Sequence, residues 1–435
     1  MDDAAPARPE GESAPRLSAL GERPLTLCIL FGLMYFIQGV SEPTEGLIAQ
    51  PFRSLLRSWG QNAEQIAQFA ALLALPWSIK PVYGLLSDFL PLAGYRRKSY
   101  LILTSAITAA SLIALYTLLL PSGSVWLLFA LLLPATIGVA FSDVVVDALM
   151  VEKGQPLGLT GRFQSIQWSA IYGATILTGV LGGYLSAHGL QQLGFLICGV
   201  ATLGMLALSL WVVKDRKVRR ERGALRAALS ELRHAAGANS LVAVSVFLFL
   251  WNFTPLSTTV IYMHVVNGLK FGEQSYGTML SLQAVGALLA GLLYGLYCRR
   301  LSMRSLVHLS IVMGILCHLC YWGMLDERSA YAIFFLAGFT WLTGTLVQLD
   351  LAAQVCPPRV AGTLFALLMA LSNLGTAVST WLGGSWYESL LISSGEGVAF
   401  ETLVGISGIC TATCWLVVHY LPRGVIIDAG ESKPA

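Results

Sequence analysis

Apolar runs of bilayer-spanning length follow one another along almost the whole of this chain of 435 residues. A membrane-spanning helix needs about 20 mostly apolar residues. Twelve such runs are separated by polar or Gly/Pro-rich breaks, near residues 25–46, 63–86, 99–120, 125–150, 161–187, 190–213, 241–265, 275–298, 305–325, 329–352, 361–387 and 400–421. Charged residues make up only 12% of the chain, whereas soluble proteins average about 25%. The sequence therefore predicts an all-α polytopic membrane protein with twelve transmembrane helices.

The positive charges predict the orientation of these helices. If the N-terminus is cytoplasmic, 22 of the 27 Lys and Arg residues lie in cytoplasmic segments. Four lie in outer loops (Arg53, Arg57, Lys270 and Arg328), and Lys80 lies within the second run. Because basic residues collect on the cytoplasmic side of a membrane, both termini are predicted to be cytoplasmic. We expect the chain in a plasma membrane or a bacterial inner membrane.

A basic stretch divides the runs into two sets of six. The predicted parts are a disordered cytoplasmic tail at 1–24, a six-helix half at 25–213, a basic cytoplasmic linker at 214–240, a second six-helix half at 241–421 and a cytoplasmic tail at 422–435. Leu225, Leu229 and Leu232 form one helical stripe in the linker, which suggests a helix lying on the inner membrane surface. The bases of the linker follow from membrane topology, so no nucleic-acid partner is predicted.

The two halves also resemble each other. A shift of 201 residues superposes Gly161 on Gly362, Leu181–Gly183 on Leu382–Gly384, and Asp147 on Gln348 beside Asp350. The fourth and fifth runs thus recur as the tenth and eleventh. Two parallel six-helix halves joined by a cytoplasmic loop are the plan of the major facilitator superfamily.

Two carboxylates lie inside the fourth run, in the stretch FSDVVVDALMVE at 141–152. Asp143 and Asp147 are four residues apart, so they share one face of a helix. An unpaired carboxylate in a membrane costs roughly 2–4 kcal/mol, so such acids usually face a partner or a water-filled path. We expect this pair to couple protons or to bind substrate. Either both titrate as one unit, or Asp147 is a gate acid and Asp143 alone faces the cavity.

Lys80 and Asp350 are further charged candidates for the same site. Lys80 lies in the inner half of the second run, where a base needs a partner. It can pair with Asp143 or Asp147, or it can meet the carboxylates of an anionic substrate. Asp350, in the tenth run, is a further candidate for proton coupling.

Glu42 and Glu45 flank Pro43 at the outer end of the first run. They can form a second protonation site, or an outer gate paired with Arg53 or Arg57. Ordinary exposure at the membrane edge is the alternative.

The link between the second and third runs combines a glycine, an acid and two bases. The predicted inner gate consists of Gly84, Asp88, Arg96, Arg97 and Glu152. Gly84 permits close helix approach, and Asp88 can accept hydrogen bonds from the N-terminus of a facing helix. Either arginine can pair with Asp147 or Glu152 at the inner end of the fourth run. Such bonds, formed only while the cytoplasmic side is shut, would bias the equilibrium between inward-facing and outward-facing states.

Two segments resemble the signatures of a known family. PWSIKPVYGLLSDFLPLAGYRRKSYLIL (76–103) and FSDVVVDALMVEKGQ (141–155) are similar to segments of the folate–biopterin transporter family, a branch of the major facilitator superfamily. GRFQSIQW (161–168) resembles the next helix of that family. The resemblance implies proton-driven uptake of folates or pterins. It also implies family positions at Lys80, Asp88, Arg96, Arg97, Asp143 and Asp147.

By resemblance to the superfamily, we expect a central cavity lined by the first, fourth, seventh and tenth runs. Its predicted lining residues are polar or aromatic: Tyr35, Gln38, Trp251, Asn252, Tyr262, Trp341 and Gln348. Flat heterocycles would stack on Trp or Tyr and hydrogen-bond with Asn or Gln. The alternative for the aromatic residues is a place in an interfacial belt or in helix packing.

Three other functions compete with vitamin uptake. They are export of a drug or metabolite, catalysis by a membrane-embedded enzyme, and a scaffold role without transport. The chain has no GxxxxGK[ST], HExxH or GxSxG motif, which argues against an ATP-driven pump and against common enzyme classes. Cys317-His318-Leu319-Cys320 lacks a second pair of ligands, so no metal or cofactor is predicted. We expect a monomer whose partners are lipid, a small organic solute and protons.

Overall fold

The computed structural model of the chain describes residues 23–118, 120–218, 230, 239–297, 300–356 and 361–421. Within these ranges the regular structure is helical, apart from isolated bridges at residues 92, 95 and 217. Eleven of the described helical segments are long and apolar enough to cross a membrane. The prediction of an all-α polytopic membrane protein is therefore confirmed. Most of the predicted tail 1–24 and linker 214–240, with the leucine stripe, and the tail 422–435 lie outside the described residues.

Five membrane helices of the first half are single segments, and the second is interrupted by a 3₁₀ turn. The elements are α1 (Pro24–Ser41), a short α2 (Ala49–Ser58), α3 (Ala63–Ala74), the turn Leu75–Ile79, α4 (Lys80–Phe89), α5 (Lys98–Thr117), α6 (Val125–Gly154), α7 (Thr160–Ala187) and α8 (Gln191–Trp211). A second 3₁₀ turn, Gln155–Leu157, follows α6.

The second half repeats this arrangement with a more divided first helix. Its elements are α9 (Asn239–Asn252), α10 (Thr258–Met263), a π turn (His264–Gly268), α11 (Glu273–Tyr297), α12 (Met303–Leu319), the 3₁₀ turn Cys320–Gly323, α13 (Glu327–Val355), α14 (Ala361–Ser394), α15 (Glu396–Ala412) and α16 (Cys414–Val418).

Prolines cause the breaks inside two membrane helices. Pro76 and Pro81 cannot donate backbone hydrogen bonds, and the helix tightens into the turn between α3 and α4. Lys80 consequently begins α4. Pro255 lies in the break between α9 and α10. The run 241–265 was expected to be one continuous helix, and the structure divides it after Asn252 because of this proline.

Large apolar side chains cover the outside of the bundle. Trp126 is 76% exposed, Leu292 is 69% exposed and Ile409 is 68% exposed. A water-soluble protein seldom exposes so many large apolar residues over its whole circumference. This surface matches a lipid environment.

The halves touch along two pairs of helices: α7 packs along α11, and α3 packs along α14. A Cβ added to Gly183 would come within 2.9 Å of Gly277 Cα, so the first pair meets backbone to backbone. We call the end of the bundle that carries α2 the outer end, and the end that carries residues 90–97 the inner end. This follows the predicted orientation.

Candidate functional site

A cluster of charged and polar side chains lies between α1, α4 and α6. We call Tyr35, Gln38, Lys80, Asp143 and Asp147 the carboxylate cluster. Lys80 Nζ lies 2.6 Å from Asp143 Oδ2. Gln38 Nε2 donates to Asp143 Oδ1 over 2.6 Å, and the Tyr35 hydroxyl donates to Asp147. The Asp143 residue is only 6% exposed, whereas Asp147 is accessible.

Local geometry explains why these groups converge. Asp143 and Asp147 are one helical turn apart on α6, and Tyr35 and Gln38 are nearly one turn apart on α1. Because the two spacings are nearly equal, Tyr35 reaches Asp147 while Gln38 reaches Asp143. Lys80 reaches Asp143 from the first residue of α4. Of the two partners expected for Lys80, the structure therefore selects Asp143. Removing one member of a buried ion pair typically costs about 3–5 kcal/mol.

The Trp77 side chain connects this cluster to a buried acid further out. Lys80 Nζ lies 4.5 Å from the centre of the Trp77 ring, a cation–π distance. Trp77 Nε1 donates to Glu42 Oε1 over 3.1 Å. Glu42 is buried and also accepts from Thr44 Oγ1 at 2.7 Å and from the backbone N–H of Glu45. Neutral donors therefore hold the Glu42 carboxylate.

The expected pairing of Glu42 or Glu45 with Arg53 or Arg57 is not found in the described part of the chain. Arg53 donates to two backbone carbonyls instead, from Nη1 to Ala49 O over 2.9 Å and from Nη2 to Thr44 O over 3.3 Å. Arg57 contacts Glu273 of the second half. Arg53 therefore lies beside the loop that carries the acids without forming an ion pair with them, and the Glu45 side chain is exposed.

A carboxylate in the second half joins the two halves at the outer end. Glu273 Oε1 lies 2.7 Å from Arg57 Nη2 and accepts from Tyr262 OH over 2.7 Å. Gln50 Nε2 donates to Glu273 Oε2 over 2.8 Å. We call Gln50, Arg57, Tyr262 and Glu273 the Glu273 latch. Arg57 was a candidate for an outer gate with Glu42 or Glu45, and the structure pairs it with Glu273 instead. Gln50 and Glu273 are not among the predicted site residues; an acid in the first turn of a helix is common for dipole reasons alone.

The corresponding helices of the second half carry a neutral polar contact and a contact between a tyrosine and an acid. Asn252 Nδ2 donates to Gln348 Oε1 over 3.0 Å, between α9 and α13. Tyr294 OH donates to Asp350 Oδ2 over 2.8 Å, between α11 and α13. Gln348 is buried and Trp341, also on α13, is 41% exposed.

Two residues expected to line the cavity lie elsewhere. Trp251 is buried, and its Nε1 donates to Ser310 O over 3.2 Å. Its ring packs against Gly314 and Gly344, so this indole fills space between α12 and α13. Tyr262 is buried in the Glu273 latch. Both positions follow the packing alternative for aromatic residues.

The predicted inner gate centres on one arginine. Arg97 Nη2 lies 2.6 Å from Asp88 Oδ1 and 2.6 Å from Glu152 Oε1. Its Nη1 donates to Ser87 Oγ over 2.8 Å. Arg96 makes no ion pair within the described residues, and its Nε atom is buried without a partner. Arg97 and Glu152 therefore form the pair, rather than Arg96 or Asp147.

Two details of the inner gate differ from expectation. Asp215 caps the N-terminus of α5: its carboxylate accepts from the backbone N–H groups of Arg97 and Lys98 at 2.8 and 3.1 Å. Asp88 instead bonds the Arg97 side chain. A Cβ added to Gly84 would meet Val144 at 3.7 Å, an ordinary contact, so close helix approach does not require glycine there in this state.

The chain has extensive similarity to known proteins. The profile of the BT1 family matches residues 38–434. The folate-biopterin transporter of Synechocystis sp. is 29% identical over 429 residues, which cover 93% of this chain and 83% of that protein. Folate transporter 1 of Plasmodium falciparum is 22% identical over 365 residues, covering 80% and 70% of the two chains.

Solved structures with the same fold are also transporters. The nucleoside transporter NupG superposes with a TM-score of 0.70 at 13% identity, over 92% of this chain and 99% of its own. A D-xylose–proton symporter superposes with a TM-score of 0.66 at 14% identity, over 91% and 97% of the two chains. At these identities the likeness concerns the fold alone. It confirms the predicted major facilitator fold.

Proposed function

This chain belongs to the BT1 family and is a multi-pass membrane transporter rather than an enzyme, and we propose that it is a secondary active carrier for a folate or pterin. In this proposal the carrier works by alternating access and couples transport to protons. The names of its relatives, a folate-biopterin transporter and a folate transporter, support this substrate class.

The carboxylate cluster is the observation that carries the proposal. Charged groups inside a membrane bundle are costly and occur where they serve a path for ions or solutes. We assign the two acids different roles. Asp143 is buried and forms an ion pair with Lys80. Asp147 is accessible, accepts a hydrogen bond from the neutral Tyr35 hydroxyl, and is repelled by the charge of Asp143. Asp147 is therefore our candidate for the proton-carrying acid.

Lys80 gives the site a feature that suits an anionic substrate. Folates carry carboxylates, and a lysine is a compact cation for such groups. When Asp147 takes up a proton, the cluster loses one negative charge, so a substrate carboxylate that approaches Lys80 is repelled less. Proton binding would then favour substrate binding.

The cross-half contacts support alternating access. Hydrogen bonds between the halves cluster at the outer end, where the Glu273 latch is joined by Ser385, whose Oγ donates to Glu64 Oε1 over 2.7 Å. The bonds of Arg97 at the inner end lie within the first half, so they are formed here without joining the halves, contrary to the expectation that they form only while the cytoplasmic side is shut. This pattern fits a state closed on the outside, and opening the outer side requires the latch to break.

The test is uptake of labelled folate and biopterin into liposomes that contain the purified carrier, with and without an imposed proton gradient. We expect gradient-driven accumulation by the natural chain, and exchange without accumulation by Asp147→Asn. The control is Glu401→Gln, an exposed acid on α15, which should accumulate normally. Gradient-driven accumulation by Asp147→Asn would remove this acid from the coupling role.

A carrier that binds neither compound calls for a wider search. A ligand that binds only the native state raises the melting temperature. A thermal-shift screen with sugars, peptides and drugs would then identify the solute. Binding without any flux of substrate or protons would favour the scaffold alternative.

A further inference from the structure

A small internal cavity lies behind the carboxylate cluster, between α1, α5, α6 and α8. Its volume is about 20 Å³. Six polar side chains contribute to its lining: Gln38, Ser41, Ser105, Thr108, Ser142 and Thr202. Gln38 therefore takes part in both places, since its amide nitrogen donates to Asp143.

Two atoms of these lining residues have no hydrogen-bond partner. They are Gln38 Oε1 and Ser105 Oγ, in residues that are 6% and 1% exposed. Other hydroxyls of the lining are satisfied by backbone carbonyls: Ser142 Oγ donates to Gly138 O over 2.7 Å and Thr202 Oγ1 to Cys198 O over 2.8 Å. Buried polar groups without partners are rare and unfavourable. Of the nine buried side-chain atoms without a partner among the described residues, two belong to residues that line this one cavity.

We propose that this cavity binds one water molecule, hydrogen-bonded to Gln38 Oε1 and Ser105 Oγ. A cavity needs roughly 10–15 Å³ to hold one water, and the water needs two to four polar partners. Both conditions are met. A water can donate to the amide oxygen and can either accept from or donate to a serine hydroxyl.

The chemistry of the lining favours water over a cation. The cavity presents neutral oxygens, and the Asp143 carboxylate is bonded to the amide nitrogen of Gln38 and to Lys80. No lining residue is an acid. A cation here would lie near Lys80 without a compensating negative ligand.

The water site gives Gln38 a positioning role, and this step rests on the proposed function of Asp143 in transport. An amide can present either its oxygen or its nitrogen to a neighbour. With its oxygen held by the water, Gln38 must present its nitrogen to Asp143. The site therefore keeps the amide nitrogen of Gln38 on Asp143, beside the ion pair of Asp143 with Lys80.

The direct test is a density map of the natural carrier at about 2 Å resolution. We expect a peak at hydrogen-bonding distance, roughly 2.7–3.2 Å, from both Gln38 Oε1 and Ser105 Oγ. An empty cavity in a map that resolves other buried waters would overturn the proposal. So would stabilisation of the carrier by sodium that is lost in Ser105→Ala, because that result identifies a cation site. This test does not depend on which solute is transported.

A pair of variants gives a second, independent test. Ser105→Ala removes one partner of the water, and Thr202→Val removes a lining hydroxyl that is already satisfied. If the water is bound, we expect Ser105→Ala to lower the melting temperature by about 2 °C and to reduce the rate of folate uptake about fivefold. Thr202→Val should change the rate of uptake little. If Ser105 lacks a partner, its removal should raise the melting temperature, and that result would refute the site. A natural carrier that transports no folate would count against the proposed function, leaving the map and the melting temperatures to judge the water site.

Discussion

The two halves place polar groups on corresponding helices but differ in charge. In the first half, α6 carries Asp143 and Asp147, and Lys80 pairs with the former. In the second half, the residue that corresponds to Asp147 is Gln348, which accepts from Asn252. The two halves share a helical framework, while the ion pair inside the membrane lies in the first half. We infer that the first half carries the proton coupling, and that the second half contributes neutral contacts and the outer latch.

The largest expected effect is at the buried ion pair. Asp143→Asn leaves Lys80 without its partner, so we expect a loss of about 3–5 kcal/mol in stability and no gradient-driven accumulation. Folding is checked by the melting temperature in detergent, and function by uptake into liposomes. The double variant Lys80→Met with Asp143→Asn separates the two effects, because it removes both charges. It should recover most of the stability but not the accumulation. Normal accumulation by Asp143→Asn would contradict the division of roles between the halves.

The next largest effect is expected at the Glu273 latch, whose acid lies in the second half. Glu273→Gln weakens the bonds to Arg57, Tyr262 and Gln50, so the outward-open state should gain population, on the order of tenfold. Distances between spin labels at the outer ends of α3 and α14 would report the change. Glu327→Gln is the matched control, since Glu327 is an exposed acid in the first turn of α13. An unchanged distance distribution in Glu273→Gln would show that packing alone closes the outer end.

A smaller effect is expected at the inner gate. Arg97→Gln removes the bonds to Asp88, Glu152 and Ser87, whereas Arg96→Gln removes no ion pair among the described residues. Because both acid partners are more than two-fifths exposed at the side chain, water screens these bonds. We expect turnover to fall severalfold in Arg97→Gln and to stay near normal in Arg96→Gln. Charge reversal at Asp88 should impair cycling without impairing folding. Equal rates for the two arginine variants would disprove the assignment of Arg97.

The smallest effect is expected at the neutral contact of the second half. Gln348→Ala removes one hydrogen bond between uncharged groups, which is worth about 1 kcal/mol. The half-saturating substrate concentration should change by less than about tenfold, and the response to a proton gradient should remain. If Gln348→Ala abolished coupling as Asp147→Asn is expected to do, the contrast between the halves would be lost.

Much of the candidate site follows from local rules. A lysine and two acids in apolar runs need partners, so their proximity could be predicted without coordinates. The pairing of Arg97 with Glu152 was likewise one of a few stated possibilities. Choosing between Asp143 and Asp147 for Lys80 required the exact start of α4, which depends on the turn between Pro76 and Pro81. The roles of Asp215 and Glu273 were not predicted, since Arg97 and Arg57, with which they interact, lie more than 100 residues away in sequence.

The sequence by itself determined the number of apolar runs, the division into halves and the placement of acids within the apolar runs. These features depend on hydrophobicity and helical period, which act over about 20 residues. Tertiary structure alone decided which polar atoms meet, which tryptophan fills the core and which cavity remains. Such contacts depend on the angles and distances between helices far apart in the chain, so changes of a few ångströms, invisible in any local pattern, create or remove a hydrogen bond.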